Sequence, residues 1–494
     1  MIRLLLTLLI ISLPVLANEK YFEYDQIKTP VGLDSQVGGL VFTPSGKLAA
    51  CFHRGEVMVY DFKTKAWTKF AEGLHEPLGI VAVSDSEFVV MQRPELTVLK
   101  DTDGDGEADS YRTLNDDFGM SGNYHEFCFG PTVDKEGNYW VGLNVASNGA
   151  SVRKEIRGEF SSIGIPREDF YTAWGKSKKA AGRMYARVPY RGWIVKITPE
   201  GKMIPWSCGV RSPNGLGFDA EGNLFVSDNQ GDWLGTSKLH HVKKDRFHGH
   251  PASLIWREGW KRDPLKVPVD ELDKLRKRAS ILFPQGIMAN SPTQPLLIDH
   301  DKFGPYKGQM LVGDMNFKRI LRFMPDKVNG EIQGAIIPFI DGDPMEIGNN
   351  RLAWAPDGSL IIGRTKLSWA GSRGIVQAKK KDVPSFDVQN VKLTKDGFDI
   401  TFTEAPAEKL DDKNLKLISY TYKYHEAYGS PQMEKKDEKI EAVNVSADGK
   451  TLSIKLSNLR EGFVYDFDFK GFKSKSGLEL MNDRMCYTLN ETIK

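Results

Sequence analysis

A chain of 494 residues with 67 Lys and Arg against 65 Asp and Glu carries a net charge of only +2, which gives no electrostatic case for nucleic acid or an anionic membrane surface as partner. That length exceeds what one small core supports, so two domains are expected, one of them large. The four cysteines, Cys51, Cys128, Cys208 and Cys486, stand far apart and form neither a CxxC pair nor a haem-attaching CxxCH; buried free thiols in strands are the simplest reading, and a disulfide is permitted but not required.

In chain order, the first segment reads as a secretory signal. Arg3 supplies the positive charge, Leu4 to Leu13 the apolar core, and Val15-Leu16-Ala17 a small-residue cleavage pattern. The run is too short to stay in a bilayer as a helix, no cysteine follows Ala17 to take a lipid, and no later stretch is long and apolar enough for a membrane span. The expectation is an exported protein, periplasmic or secreted, with no transmembrane anchor and with residues 1–17 removed.

A pattern then recurs: a Gly-Leu-like start, a short alternating strand, a turn with Gly or Asp, and a second apolar strand. It stands at Gly39–Phe42, Leu78–Val81, Phe127–Phe129, Gly215–Phe218, Gln309–Val312 and Leu352–Trp354. Strand, short Gly turn, strand is a hairpin signal because such turns need positive φ. Repeats of roughly 40 to 50 residues holding several short strands mark the blades of a propeller. Six copies predict a six-bladed β-propeller over residues 18–381. Two wider gaps hold insertions: a basic, Gly-rich one at 151–184, and one with a helical stretch over 269–278 that puts Leu272 and Leu275 on one face. A solenoid or an open sandwich is the competing all-β reading.

Past Lys379-Lys380-Lys381 the pattern becomes strict alternation, as in Phe398-Asp-Ile400-Thr-Phe402 and Leu452-Ser-Ile454-Lys-Leu456, with turns at Asp396-Gly397 and Asp448-Gly449. This predicts a half-buried antiparallel sheet pair, an immunoglobulin- or fibronectin-like β-sandwich over residues 382–494. Packing against the first domain is its expected role, with carbohydrate contact as the alternative.

Three loops adjoin innermost strands and should share one face of the ring. In Asn123-Tyr124-His125-Glu126, His125 is a candidate base, since imidazole titrates near neutrality; a packed histidine is the plainer reading. Arg211-Ser212-Pro213-Asn214-Gly215 with Asp228-Asn229-Gln230-Gly231-Asp232-Trp233 masses a guanidinium, amides and carboxylates around glycines that let a ligand approach backbone, and oxygen-rich loops suit Ca²⁺. Lys318 and Arg319 with Arg351 offer cations from neighbouring repeats, able to clamp an anion or simply solvated. Separately, Asp101, Asp103, Asp105 and Asp109 occupy positions 1, 3, 5 and 9 of a calcium loop with Gly106 at position 6. Position 12 is Arg112 rather than Glu, so a structural Ca²⁺ site of modest affinity is expected, or an acidic turn without metal.

These loops, in this order, resemble the soluble quinoprotein glucose/sorbosone dehydrogenases, six-bladed propellers that bind pyrroloquinoline quinone and Ca²⁺ in a central funnel. The resemblance covers roughly residues 30–378. It implies that His125 is the general base, that Arg211, with Ser212 in place of an amide, contacts the quinone, and that Asn214, Lys318, Arg319 and Arg351 surround it. It implies further that Gln230 and Gly231, with Asp232 standing where the family has Pro, hold the catalytic Ca²⁺. The chain is still more similar to exported proteins described as membrane-bound dehydrogenases, which share Arg211–Gly215, Asp228–Trp233 and Tyr428-Gly429-Ser430-Pro431. The activity this implies is oxidation of a sugar or polyol hydroxyl, with electrons leaving to a separate soluble acceptor. Three alternatives share the scaffold: a Ca²⁺-dependent lactonase-like hydrolase using Asn214, a polysaccharide lyase using His125 on a uronic acid, and a non-catalytic carbohydrate-binding propeller with Trp233, Trp256 and Trp260 as stacking surfaces.

Overall fold

The computed structural model describes residues 19–176, 182–343, 345–366, 371–411 and 413–494, and the signal-like segment 1–17 lies outside them. Among the described residues the regular secondary structure is almost all β-strand. Up to Lys380 it forms six successive antiparallel arrays. Their first strands are Val37–Phe42, Ile80–Ala82, Cys128–Val133, Pro213–Phe218, Pro292–Leu297 and Asn349–Trp354, and each pairs with the strand that follows it.

Those first strands touch in cyclic order, first to second and onward to the sixth, which returns to the first. Glycine makes the approach possible. A Cβ on Gly38 would lie 1.8 Å from Pro77 O of the next sheet, one on Gly79 2.0 Å from Gly130 O, and one on Gly217 2.1 Å from Pro295 O; no side chain fits such gaps. One small cavity of about 30 Å³ is lined at once by Leu40, Ile80, Pro131, Leu216, Gln294 and Arg351, one residue from each of the six arrays. The sixth array takes its outermost strand, Phe22–Ile27, from the start of the described chain, paired with Gly374–Lys380, so the two ends of this region are joined by backbone hydrogen bonds.

The recurring motif marks first strands in five repeats. In the fifth it is displaced by one strand: Met310–Asp314 is the second strand, and Pro292–Leu297, whose prolines weaken the alternating signal, is the first. The second insertion folds as the helix Val269–Leu275 with Leu272 buried but Leu275 41% exposed, since the helix ends at Leu275 and leaves it no neighbouring turn. The first insertion contains a helix, Arg167–Lys176, that its basic, glycine-containing sequence does not announce. All four cysteines are free and buried.

The tail forms two sheets. Val388–Leu393, Gly397–Phe402, Thr451–Leu456 and Ile440–Val445 make one of them. The other is continuous with the fifth array, because Arg484–Leu489 pairs with Glu331–Asp341 and carries the sheet on to Phe463–Phe469 and Leu415–Tyr422. Both sheets face one core in which Phe398, Ile454 and Phe467 pack with Met324, Ala335 and Ile337 of the fifth array. A fully buried ion pair, Arg322 to Asp387 at 2.8 Å, ties the two regions together. Strand pairing and core packing therefore cross the boundary expected at 381/382.

Candidate active site

In each array the first strand begins, and its antiparallel neighbour ends, on the same face. His53, Asn144, Asn229 and Thr365 directly follow second strands there, and the three loops expected to carry chemistry lie on that face.

His125 is held from two sides. Its backbone N–H donates to Asn123 Oδ1 at 3.0 Å, and Asn123 is itself bonded to Ser147, Ala150 and Tyr185. The neighbouring Glu126 carboxylate is buried, accepts from Ser121 N and Oγ at 2.8 and 2.6 Å, and lies 4.0 Å from the buried Arg191. Glu126 is therefore an anchor of the turn rather than a reactive partner. The imidazole Nδ1 sits 2.9 Å from Val145 O. A carbonyl only accepts, so Nδ1 carries the proton and Nε2 is left as a free acceptor. Burial, and then the positive charge of Arg211, pull the His125 pKa down to about 4, so the ring is neutral at physiological pH.

Arg211 and Ser212 are fixed by their backbones, whose N–H groups donate to the buried Asp228 carboxylate at 2.9 and 2.6 Å. The Arg211 guanidinium lies across Gly231, where a Cβ would sit 2.0 Å from Nε, so that glycine is a steric requirement. Nε donates to Asp232 Oδ1 at 3.2 Å. On its other oxygen Asp232 faces His250 Nε2 at 3.3 Å, and His250 Nδ1 accepts from Ala252 N, so Nε2 is the protonated nitrogen. Burial raises the Asp232 carboxyl, but His250 and Arg211 outweigh it and hold the carboxyl below its usual range. His125, Arg211, Asp232 and His250 thus form one electrostatic unit.

The tail reaches this unit. Gly429 N donates to Gly231 O at 3.0 Å and Trp233 N to His425 O at 3.0 Å. These contacts place the half-exposed Tyr428 ring 4.4 Å from the Arg183 guanidinium and 5.6 Å from that of Arg211.

The remaining expected residues fall into different settings. Ser212 Oγ accepts from Asn144 Nδ2 at 3.0 Å. Arg351 is buried at the axis, donating to Gly38 O, Leu78 O, Asn350 O and Asn214 O at 2.8 to 3.2 Å. The Asn214 side chain accepts from Arg351 as well, which occupies the oxygen a lactonase-type metal would need. Arg319 is bidentate on Asp341 and also donates to two backbone carbonyls, so it is committed to its own sheet. Lys318 is half-exposed and paired with the exposed Asp343, a pair that is easily released. Trp233 is buried against Tyr424, while Trp256 and Trp260 pack partly buried on the same core.

An anionic, carbonyl-bearing cofactor fits this face. Arg364, 1% exposed at the end of the sixth array's second strand, pairs with Glu346 through Nη1 at 2.8 Å but leaves Nε and Nη2 without a partner; buried donors of that kind are normally paired. Arg211, Arg364 and Lys318 supply the cations. A Ca²⁺ held by Gln230, Gly231 and Asp232 does not fit. Gly231 O already accepts from Leu234 N and Gly429 N, and the two Asp232 oxygens are taken by Arg211 and His250. Elsewhere, carboxylate oxygens of Asp101, Asp103 and Asp109 lie within 4.8 Å of one another. Asp105 is outside that group, its side chain accepting from Glu107 N.

A family model described as a domain of unknown function (DUF7133) matches residues 60–255. No curated protein matches the chain. The chain is similar to solved sugar dehydrogenases. One is the PQQ-bound aldose sugar dehydrogenase of Streptomyces coelicolor, at 15% identity and a TM-score of 0.46 over 73% of this chain and 98% of that one. Another is the PQQ domain of a pyranose dehydrogenase from Coprinopsis cinerea, at 14% identity and a TM-score of 0.48 over 72% and 95%. A luciferin-regenerating enzyme is similar at 13% identity and a TM-score of 0.44 over 75% and 100%. Neighbours of such different activity leave the chemistry to be argued from the site itself.

Arg183, Met184, Val145, His250 and Arg364 join the site without having been singled out in the sequence. Arg183 and Met184 lie in an insertion with no periodicity, and Val145 acts through a carbonyl that every residue possesses.

Proposed function

We propose that this chain is an exported sugar or polyol oxidoreductase that uses pyrroloquinoline quinone at the shared face of a six-bladed β-propeller, with residues 382–494 forming a β-sandwich. The cyclic contacts of the six first strands support the propeller, and the two-sheet core supports the sandwich. The observation that carries the chemistry is His125: its Nδ1–H is spent on Val145 O, leaving Nε2 a neutral acceptor beside Arg211.

Arg211, Arg364 and Lys318 would hold the cofactor's carboxylates, Lys318 exchanging Asp343 for them. A bound quinone would supply the hydride acceptor for the substrate carbon. His125 Nε2 takes the hydroxyl proton, Val145 O keeps the ring oriented, and Asp232 with His250 holds the Arg211 guanidinium in place. Met184, 3.9 Å from Arg211 Nη2, and Tyr428 cover the guanidinium and exclude water. Electrons leave to a separate soluble carrier. Ca²⁺ is placed on this reading at Asp101, Asp103 and Asp109, as a structural ion pinning a connection of the second blade.

The test is a titration of the purified chain with the quinone. Saturable absorbance change at micromolar cofactor, followed by dye reduction when an aldose is added, supports the proposal; no binding at high micromolar cofactor removes it. A second reading draws on Tyr428 between two guanidiniums: a lyase in which Arg183 and Arg211 hold a uronate carboxylate and His125 removes the adjacent carbon's proton. Unsaturated products from a polyuronate without added quinone would favour that reading.

A further inference from the structure

Beyond the face just described, a cavity of about 570 Å³ lies between the fourth array and the tail, within the size range of small-molecule sites. The loop 231–235 divides the two places: Asp232 turns to Arg211, whereas Trp233, Gly235 and Thr236 line the cavity. Lys238, on the strand Ser237–His241, also lines it. Lys238 is only 5% exposed, yet among the described residues its ammonium group makes no hydrogen bond and no ion pair. A buried ammonium left in this way is costly and is ordinarily paired.

The other charged groups set the ligand's character. Arg276 and Arg278 line the cavity with Lys238, and so do Asp270, Asp273 and Glu461. Asp273 is bound to Arg276, and Glu461 accepts from Thr492 N and Oγ1. Arg278, exposed, reaches Asn490 O at 3.4 Å. Burial, and then the positive charge of Arg276, bring the Lys238 pKa down to about 7 against the opposing negative charges of Asp228 and Asp273. Trp233, Tyr424 and Phe463 provide apolar surface. A bare inorganic anion would be repelled by the three carboxylates. A ligand with one carboxylate for Lys238, hydroxyl donors for the acids and a C–H face for the aromatics satisfies all of these groups at once.

We infer that this interdomain cavity binds a small sugar acid, its carboxylate on Lys238 with Arg278 at the mouth. The inference does not depend on the quinone reading, because it uses none of the same side chains.

Methyl β-D-glucuronide is the probe, since its blocked anomeric carbon removes it from aldose oxidation, and calorimetry on the full chain is the readout. Saturation at millimolar ligand is expected for the wild type. Lys238→Met, which replaces a lone ammonium by an apolar chain of similar length, should bind at least tenfold more weakly. Arg278→Gln, at an exposed position where folding is not at stake, should bind about threefold more weakly. The neutral methyl β-D-glucoside and inorganic phosphate should each bind at least tenfold more weakly than the glucuronide. The inference is overturned if the wild type does not saturate, if Lys238→Met and Arg278→Gln both bind as the wild type does, or if the glucoside or phosphate binds as well as the glucuronide.

Discussion

Arg351→Lys tests whether the buried Arg351 guanidinium serves the scaffold or a ligand. The guanidinium spans the axis, bonding carbonyls of the first, second, fourth and sixth arrays and lying 5.5 Å from the Phe129 ring of the third. Burial without a carboxylate partner brings its pKa down to about 10. Lysine offers three donors from a single nitrogen and cannot reach Gly38 O, Leu78 O and Asn214 O together. Losing two hydrogen bonds from a charged donor costs about 3–5 kcal/mol, the lower figure applying if a water enters the adjoining cavity of about 30 Å³. For a domain of this size that is a fall in Tm of roughly 4–7 °C. Differential scanning calorimetry alongside the quinone titration checks it: Tm should fall while cofactor affinity of the folded protein changes less than threefold. An unchanged Tm with cofactor binding lost would refute the reasoning and return Arg351 to the role of cofactor cation.

Removing the Asp101 loop's charge by Asp103→Asn should abolish any rise in Tm caused by millimolar Ca²⁺, a rise worth about 2.7 kcal/mol at a hundredfold excess over Kd, whereas quinone affinity should not respond to Ca²⁺ or to chelator. Tyr428→Ala should weaken binding at the main site by about 0.5–2 kcal/mol through loss of the ring against Arg183 and Arg211, seen as a higher KM. Acid should destabilise the fold: His53, His125 and His241 titrate at about 4 when folded and near 6.5 when unfolded, so the unfolded chain takes up protons first as pH falls. Each then costs at most about 3 kcal/mol between pH 6.5 and pH 4, measurable as a falling urea midpoint; a midpoint constant across that range would contradict the buried-neutral assignment.

Much of the fold is written in short-range chemistry. Turn glycines and alternating strands announce hairpins, because those properties belong to single residues, whereas the close approach at Gly38, Gly79 and Gly217 appears only once neighbouring sheets meet. The phase of the fifth repeat is not legible, since prolines in Pro292–Leu297 mask its alternation. The continuation of the fifth array into the tail is also hidden, because pairing of Glu331–Asp341 with Arg484–Leu489 joins segments far apart in sequence. At the site, His125 and Arg211 are visible as residue types out of place in plain strands. Which cation serves a ligand and which serves the scaffold is not, because Lys318, Arg319 and Arg351 are distinguished only by Asp343, Asp341 and four carbonyls brought to them by folding. Gln230-Gly231-Asp232 reads as oxygen-rich, yet the Gly231 carbonyl and the Asp232 carboxylate already hold partners from residues 211, 234, 250 and 429.

Single-turnover reduction of bound quinone by an aldose, in the wild type and in His125→Ala, tests the assignment of Nε2 as the proton acceptor most directly. The account predicts that both proteins bind the cofactor with similar affinity, that reduction slows by about 10²- to 10⁴-fold in the variant, and that the wild-type rate is level at neutral pH and lost as pH falls through about 4. Reduction in His125→Ala at the wild-type rate would contradict it.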